Sequence, residues 1–151
     1  MWYIVKYNIF LLDLLMDRTE FQKIRRVFSK SQREMAQLLG VSVKAINSYE
    51  QGWRNIPHHV ERQSLFLLSL RPEISKGLKD CWKIKGCGEE KKKKCPAWGF
   101  RAGKMCWFIN GTICEGKPQD SWKKKMEMCR KCKILRHILS KLNEDSTSPK
   151  S

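Results

Sequence analysis

Apolar residues between positions 17 and 70 recur at the spacing of short amphipathic helices. This pattern predicts a first helix that is capped by Thr19 and ends near residue 28. Ser31 and Glu34 have the spacing of a capping box, in which each side chain accepts a backbone N–H of the first turn, so a second helix begins there. Gly40 can adopt the left-handed conformation that ends such a helix.

A third and a fourth helix follow in the same half of the chain. Ser42 caps the third helix, which covers residues 43–50 and is followed by Gly52. The fourth helix ends before Pro72, because the residue before a proline avoids helical backbone angles. The small side chain of Ala36 lets the second and third helices cross closely.

Three further segments follow the helical domain that residues 17–70 are predicted to form. Residues 71–80 are predicted to be a linker, residues 81–142 a cysteine-rich domain, and residues 143–151 a disordered tail of mostly polar side chains. The fold class is therefore mainly α. It combines a domain of four to five helices with a small irregular domain that a metal stabilises.

An apolar segment, residues 1–16, precedes the helical domain. Lys6 and Asp13 interrupt it, and it is too short to span a bilayer. We interpret it as a packing helix, a membrane-surface helix, or an extension upstream of a natural start at Met16. An extension or a packing helix is favoured over membrane contact.

Basic residues outnumber acidic ones about two to one. The 151-residue chain has 31 Lys and Arg, 15 Asp and Glu, and a net charge of +16. Residues 76–133 hold most of the excess, with 17 basic and 6 acidic residues and a net charge of +11, and they include four consecutive lysines at 91–94. The electrostatic field of this excess positive charge favours the binding of polyanions, of which nucleic acid is the commonest in the cytosol. The lysine run is equally consistent with a solvated face.

The segment from Ser31 to Gly52 resembles the helix-turn-helix of the phage repressor and Cro class. The matching pattern is Ser31-Gln32-x-Glu34-Met35-Ala36-x-Leu38-Leu39-Gly40-Val41-Ser42-x-x-Ala45-Ile46-x-x-Tyr49-Glu50-x-Gly52. The resemblance implies that the second helix of the pair enters a major groove of double-stranded DNA with its N-terminal residues leading. It also implies a homodimer that binds paired half-sites.

The resemblance places a defined set of side chains on the DNA. The predicted DNA-binding residues are Gln32, Ser42, Val43, Lys44, Asn47, Ser48 and Arg54. Lys44 suits guanine acceptors, Asn47 suits an adenine edge, and Val43 suits a thymine methyl group. Gln32 and Arg54 match positions that hold phosphate or support the base-contacting residues. Acidic residues in the motif are expected to be caps or helix–helix contacts rather than acid catalysts.

All cysteines of the chain lie in its second half. They are Cys81, Cys87, Cys95, Cys106, Cys114, Cys129 and Cys132. An odd number would leave one thiol unpaired in an all-disulfide protein, and thiolates select zinc or iron–sulfur clusters over hard cations. Only Cys129 and Cys132 have the short spacing of a zinc-ribbon pair, whereas irregular long spacings suit a cubane cluster. All seven are candidate metal ligands, for an iron–sulfur cluster or Zn²⁺, with purely redox thiols as a third alternative.

Two Cys–Trp pairs, Cys81-Trp82 and Cys106-Trp107, mark the cysteine-rich segment. Together with the sequences CPAW and CWFINGTICEG, they resemble a bacterial cysteine-rich module found fused to helix-turn-helix units and to signalling proteins. The resemblance implies a bacterial regulator and names no effector. The tryptophans would either shield a metal or cluster from solvent or form the core of the small domain.

These patterns favour a cytoplasmic, sequence-specific transcriptional regulator whose cysteine-rich domain senses redox state or metal. The alternative is a DNA-binding protein with an inert structural zinc module for dimerisation or protein interaction. Cys129 and Cys132 have the spacing of a thiol oxidoreductase, but no strand is predicted around them, and the chain has no nucleophile triad or glycine-rich phosphate loop. An enzyme is therefore not expected, and neither a small-molecule substrate nor a membrane partner is inferred.

Overall fold

The computed structural model describes residues 15–114, 116–118 and 121–144. The predictions for residues 1–14 and 145–151 lie outside this described part of the chain. All regular structure in the described part is helical, and it contains no strand. The mainly α class predicted from the sequence is therefore confirmed.

The described residues form two compact units. Unit 1 comprises residues 15–68 and 141–144, and unit 2 comprises residues 69–140. Unit 1 contains α1 (Arg18–Val27), α2 (Gln32–Leu39), α3 (Val43–Gln51) and nearly all of α4 (His58–Ser69).

Local capping determines where α2 and α3 begin and end. The Glu34 carboxylate accepts the Ser31 N–H at 2.7 Å, and the Ser31 hydroxyl accepts the Glu34 N–H at 3.2 Å. Gly40 ends α2 with φ of 67°, and Gly52 ends α3 with φ of 77°, a region where only glycine is unstrained. The predicted capping box and both glycine ends are confirmed.

The cap of α1 differs from the prediction. Asp17 Oδ1 accepts the Glu20 N–H at 2.7 Å, and the helix begins at Arg18. Thr19 was wrong as the cap because it already lies inside the first helical turn. An aspartate at this position also interacts favourably with the N-terminal end of the helix dipole.

The core of unit 1 lies between its first three helices and α4. The Phe21 ring contacts Tyr49 edge to face, with 5.9 Å between centroids and an interplanar angle of 86°. Ala36 is only 2% exposed, which fits its predicted place at a close helix crossing. Other apolar side chains buried in unit 1 include Ile24, Met35, Leu39, Ile46, Val60, Leu65 and Leu68.

Unit 2 is a set of short helices joined by turns. Its elements are α5 (Pro72–Ser75), α6 (Cys81–Lys85), α7 (Glu89–Lys94), α8 (Pro96–Gly99), a 3₁₀ turn (Cys106–Phe108), α9 (Trp122–Cys129) and most of α10 (Lys133–Glu144). The core side chains include Trp107, Met126, Ile134, Leu135 and Ile138, all at most 1% exposed. No described helix has both the length and the apolar run that crossing a bilayer requires.

The segment predicted as a linker contributes buried residues, and the predicted tail begins within a helix. Within residues 71–80, Ile74 is 1% exposed and Leu78 is 6% exposed, and both lie in unit 2. The carboxyl-terminal helix includes Asn143, whose Oδ1 accepts a hydrogen bond from Lys23 Nζ at 2.8 Å within unit 1. The apolar residues Ile74 and Leu78 of the predicted linker therefore belong to a folded unit, and the last helix continues two residues into the predicted tail.

Candidate nucleic-acid interface and cysteine cluster

The amino-terminal half of α3 presents polar and small side chains to solvent. Ser42 caps the helix by accepting the Ala45 N–H at 3.0 Å. Val43 is 43% exposed, Lys44 is exposed and Asn47 is half-buried. The opposite face of α3 is buried in unit 1 through Ala45, Ile46 and Tyr49. The helix can therefore offer this accessible face to a partner while staying anchored in unit 1.

Ser48 does not belong to the accessible face. Its side chain is buried, at 8% exposed, and its carbonyl accepts the N–H groups of Trp53 at 3.0 Å and Arg54 at 3.3 Å. Because its side chain is buried, Ser48 does not share the exposure of Val43 and Lys44 that the predicted contact with base edges requires. Arg54 itself is exposed, with its guanidinium 5.8 Å from the centroid of the Tyr49 ring.

A buried carboxylate links the first three helices of unit 1. Arg25 donates to Glu50 twice, from Nε at 2.5 Å and from Nη2 at 3.0 Å. Gln32 Nε2 donates to the same carboxylate at 3.0 Å, and Gln22 Nε2 donates to the Glu50 carbonyl at 3.1 Å. We call these four residues the Glu50 network. It holds α3 against α1 and α2 through charge-assisted bonds, so Glu50 is a helix–helix contact, as predicted.

The role of Arg25 was not predicted, because Arg25 lies 25 residues from its partner Glu50. Gln32 was predicted to hold phosphate or to support the base-contacting residues. In the structure its amide donates to the Glu50 carboxylate as a member of the Glu50 network. Glu34, the other acid of the motif, is the capping residue described above.

Four thiols of unit 2 line one cavity: Cys81, Cys87, Cys95 and Cys114. The cavity has a volume of about 20 Å³. That is room for about one water-sized atom. Short helices position three of these thiols, because Cys81 begins α6, Cys87 follows the Gly86 that ends it, and Cys95 lies between α7 and α8.

The other three cysteines lie outside the lining of this cavity. Cys106 is 4% exposed and its thiol donates to Cys81, which lowers the pKa of Cys81 and raises the pKa of Cys106. Burial raises the pKa of Cys129 to about 11. Burial likewise raises the pKa of Cys114, which lines the cavity. Cys132 lies near enough to Cys129 for its charge to contribute to that rise. All seven cysteines are free thiols.

Lys125 is a buried cation beside the thiols. Its side chain is 0% exposed, and Nζ donates to Thr112 Oγ1 at 2.6 Å. Its positive charge acts to lower the pKa of Cys114 and of Cys129, against the effect of burial. The burial of Lys125 was not predicted from the sequence. The available signal was its helical spacing, three residues after Trp122 and four before Cys129, both of which are buried.

The lysine run at 91–94 forms the last part of α7. Lys92 is half-buried: its Nζ lies 2.8 Å from a Glu89 carboxylate oxygen and 4.2 Å from the centroid of the Trp98 ring. Trp98 in turn contacts Trp82 edge to face, with 4.9 Å between centroids. The other three lysines of the run are exposed.

The described residues hold no group of three or more His, Cys, Asp or Glu side chains already gathered around one point as metal ligands. Of the seven predicted ligands, four line the cavity and three do not. Comparison of the chain with protein-family models, with curated proteins and with solved structures finds no match.

Proposed function

We propose that the protein is a sequence-specific DNA-binding regulator, not an enzyme, and that α3 is its recognition helix. The observation that carries the proposal is that Val43 and Lys44 are exposed and Asn47 is half-buried on a helix whose other face is buried. Lysine and asparagine side chains are suited to the donor and acceptor pattern of base edges in the major groove. The resemblance of this segment to repressor-class motifs supports the same role.

Rigid attachment of α3 favours this use of the helix. A recognition helix discriminates bases only if its side chains reach the groove in one orientation, since a small misplacement breaks hydrogen bonds to base edges. The Glu50 network ties the carboxyl-terminal end of α3 to two other helices. The amino-terminal end is left accessible beside the Ser42 cap.

For unit 2 we propose a thiol-based site that binds a metal or an iron–sulfur cluster and regulates DNA binding. Loss or oxidation of such a site would unfold part of a small domain, because metal binding and folding are coupled there. The excess positive charge of residues 76–133 would add contacts to phosphate.

We further propose a homodimer on paired half-sites, in the reducing cytoplasm where thiols stay free.

Selection of binding sites from a pool of random duplexes tests the role of α3. The full chain should enrich one motif, and Lys44→Ala or Asn47→Ala should relax the preference at one or two positions, by roughly 1–3 kcal/mol per base pair. Lys30→Ala is the matched control, because it removes an exposed positive charge of unit 1 that lies outside α3. Enrichment of the same motif by all four proteins would refute the assignment of α3.

The regulatory role of unit 2 needs a second measurement on the selected duplex. Affinity is compared for the reduced chain as purified, after chelation, and after oxidation with peroxide. A change of at least about tenfold in either treated sample supports a sensor. Unchanged affinity in both would instead support the alternative, an inert structural module.

A further inference from the structure

Two buried thiols of unit 2 are in direct contact, although they are far apart in sequence. The Cys106 thiol donates a hydrogen bond to the sulfur of Cys81, which lies 25 positions before it. Cys81 is 8% exposed and Cys106 is 4% exposed. Cys114, another thiol of the same unit, is hydrogen-bonded to the Thr112 side chain instead. The thiol that lies nearest to Cys106 for a covalent reaction is therefore the one on Cys81.

The backbone holds the two thiols side by side. The Cys81 N–H donates to the Gly103 carbonyl at 2.8 Å, three residues before Cys106. A Cβ on Gly103 would lie 2.6 Å from the Asp80 Cβ and 2.8 Å from the Trp82 ring, so no side chain fits between these segments. Asp80 and Trp82 are the chain neighbours of Cys81. Close packing therefore fixes the beginning of α6 beside the segment that leads into the 3₁₀ turn.

We propose that Cys81 and Cys106 are a dithiol pair that a peroxide oxidises reversibly to a disulfide. The new bond would join the first residue of α6 to the first residue of the 3₁₀ turn. Two sulfurs already in hydrogen-bond contact need only a short approach to reach the about 2.05 Å of an S–S bond. Formation of the disulfide does not depend on DNA binding, but its regulatory consequence rests on the role proposed above for unit 2.

The cavity of unit 2 decides which of the two thiols meets the oxidant first. Cys81 lines this cavity, whereas Cys106 does not. A cavity of about 20 Å³ suits an oxidant close to water in size, such as hydrogen peroxide, and excludes a bulky one such as oxidised glutathione. We therefore assign Cys81 as the thiol that is attacked and Cys106 as the thiol that resolves the product.

The two steps balance with hydrogen peroxide as the oxidant. The Cys81 sulfur attacks one peroxide oxygen, the O–O bond breaks, and a sulfenic acid and one water are formed. The Cys106 sulfur then attacks the Cys81 sulfur, the S–O bond breaks, and the hydroxyl group leaves as a second water with the Cys106 proton. Two thiols are oxidised to one disulfide, and one peroxide is reduced to two waters.

Peptide mapping of the full chain tests this pairing. The reduced chain as purified is treated with hydrogen peroxide and is then denatured in an alkylating reagent. Digestion with chymotrypsin, which cleaves after Trp107, separates Cys106 from Cys114. We expect one main pair of linked peptides, Cys81 with Cys106, and the return of both thiols on treatment with dithiothreitol. A main product that joins Cys81 to a different thiol, or a Cys106 that remains open to alkylation, would overturn the proposal.

Serine variants test the order of the two steps. In Cys106→Ser, oxidation should stop at a sulfenic acid on Cys81, which the reagent dimedone traps. Cys81→Ser should slow the loss of the Cys106 thiol at least about tenfold, because its reaction partner is removed. Cys87→Ser is the matched control, since it removes another thiol that lines the cavity and should still form the bond. Equal loss of the Cys106 thiol in wild type and Cys81→Ser would refute the assigned order.

Duplex binding by the same samples separates this inference from the proposed function. If the bond between Cys81 and Cys106 forms and affinity for the selected duplex is unchanged, the dithiol pair stands and the sensing role of unit 2 fails. If peroxide changes the affinity equally in wild type and Cys106→Ser, and no such bond is found, the sensing role stands and the dithiol pair fails.

Discussion

The Glu50 network makes a quantitative prediction about how unit 1 is held together. Glu50→Gln keeps the size and one acceptor oxygen of the side chain but removes the charge that Arg25 contacts twice. The Glu50 side chain is only 4% exposed, so water cannot replace the lost bonds there. The new amide group would also turn its N–H donors toward the donors of Arg25 or Gln32.

The expected loss of stability follows from these exposures. Removing one partner of a buried ion pair costs about 3–5 kcal/mol when the other charge stays buried. The Arg25 side chain is 19% exposed, so its guanidinium can regain part of its hydration. We therefore expect unit 1 to lose about 2–3 kcal/mol, near the range for hydrogen bonds to charged groups. That corresponds to about 30- to 160-fold faster exchange of protected amides.

Native-state hydrogen exchange of the full chain measures this loss in unit 1 by itself. The reporters are the most protected amides of α2 and α3, which exchange through opening of the helical core. Glu34→Gln is the control, because it makes the same change at an exposed carboxylate and glutamine also completes a capping box. It should leave exchange nearly unchanged. A stability loss below about 0.5 kcal/mol in Glu50→Gln would refute the view that this ion pair holds the helices.

Three further predictions concern unit 2. Gly103→Ala should lower the stability of unit 2, because a Cβ at this position would lie 2.8 Å from the Trp82 ring and 2.6 Å from the Asp80 Cβ. Hydrogen exchange of backbone amides should then become faster in α6 but not in α2. In the metal-free chain, alkylation of Cys81 should accelerate at lower pH than alkylation of Cys129, because the thiolate reacts and the pKa of Cys81 is lowered while that of Cys129 is raised to about 11. Peptide mapping over a pH series that reaches the pKa of Cys129 checks this order. Replacing the exposed lysines of 91–94 by Gln should weaken binding to all duplexes alike and reduce the salt slope by up to about 3, whereas an unchanged slope would exclude phosphate contacts.

The helices of unit 1 were predictable because their signals are local. Ser31 and Glu34 bond across one turn, and Gly40 and Gly52 adopt angles that other residues avoid. Such features depend on neighbours within a few positions, so they can be recognised without knowledge of the fold. The one error in these caps, at the start of α1, arose because Asp17 and Thr19 are both good capping residues and lie two positions apart.

The accessible face of α3 was only partly predictable. Periodicity alone puts Lys44 and Ser48 on the same side of a helix, four residues apart. In the structure Lys44 is exposed, whereas Ser48 is buried, at 8% exposed. Burial of Ser48 therefore does not follow from helical periodicity.

By itself, the amino-acid sequence determined the helical class, the bounds of the central helices of unit 1 and the concentration of thiols in the second half. Only the tertiary structure decided which thiols share a cavity, which cation pairs with the Glu50 carboxylate, and whether Lys125 is buried. The physical reason is the distance along the chain over which each kind of interaction acts. Caps and periodicity act within a turn or two of helix, whereas a cavity or a buried charge pair exists only after segments distant in sequence have packed together.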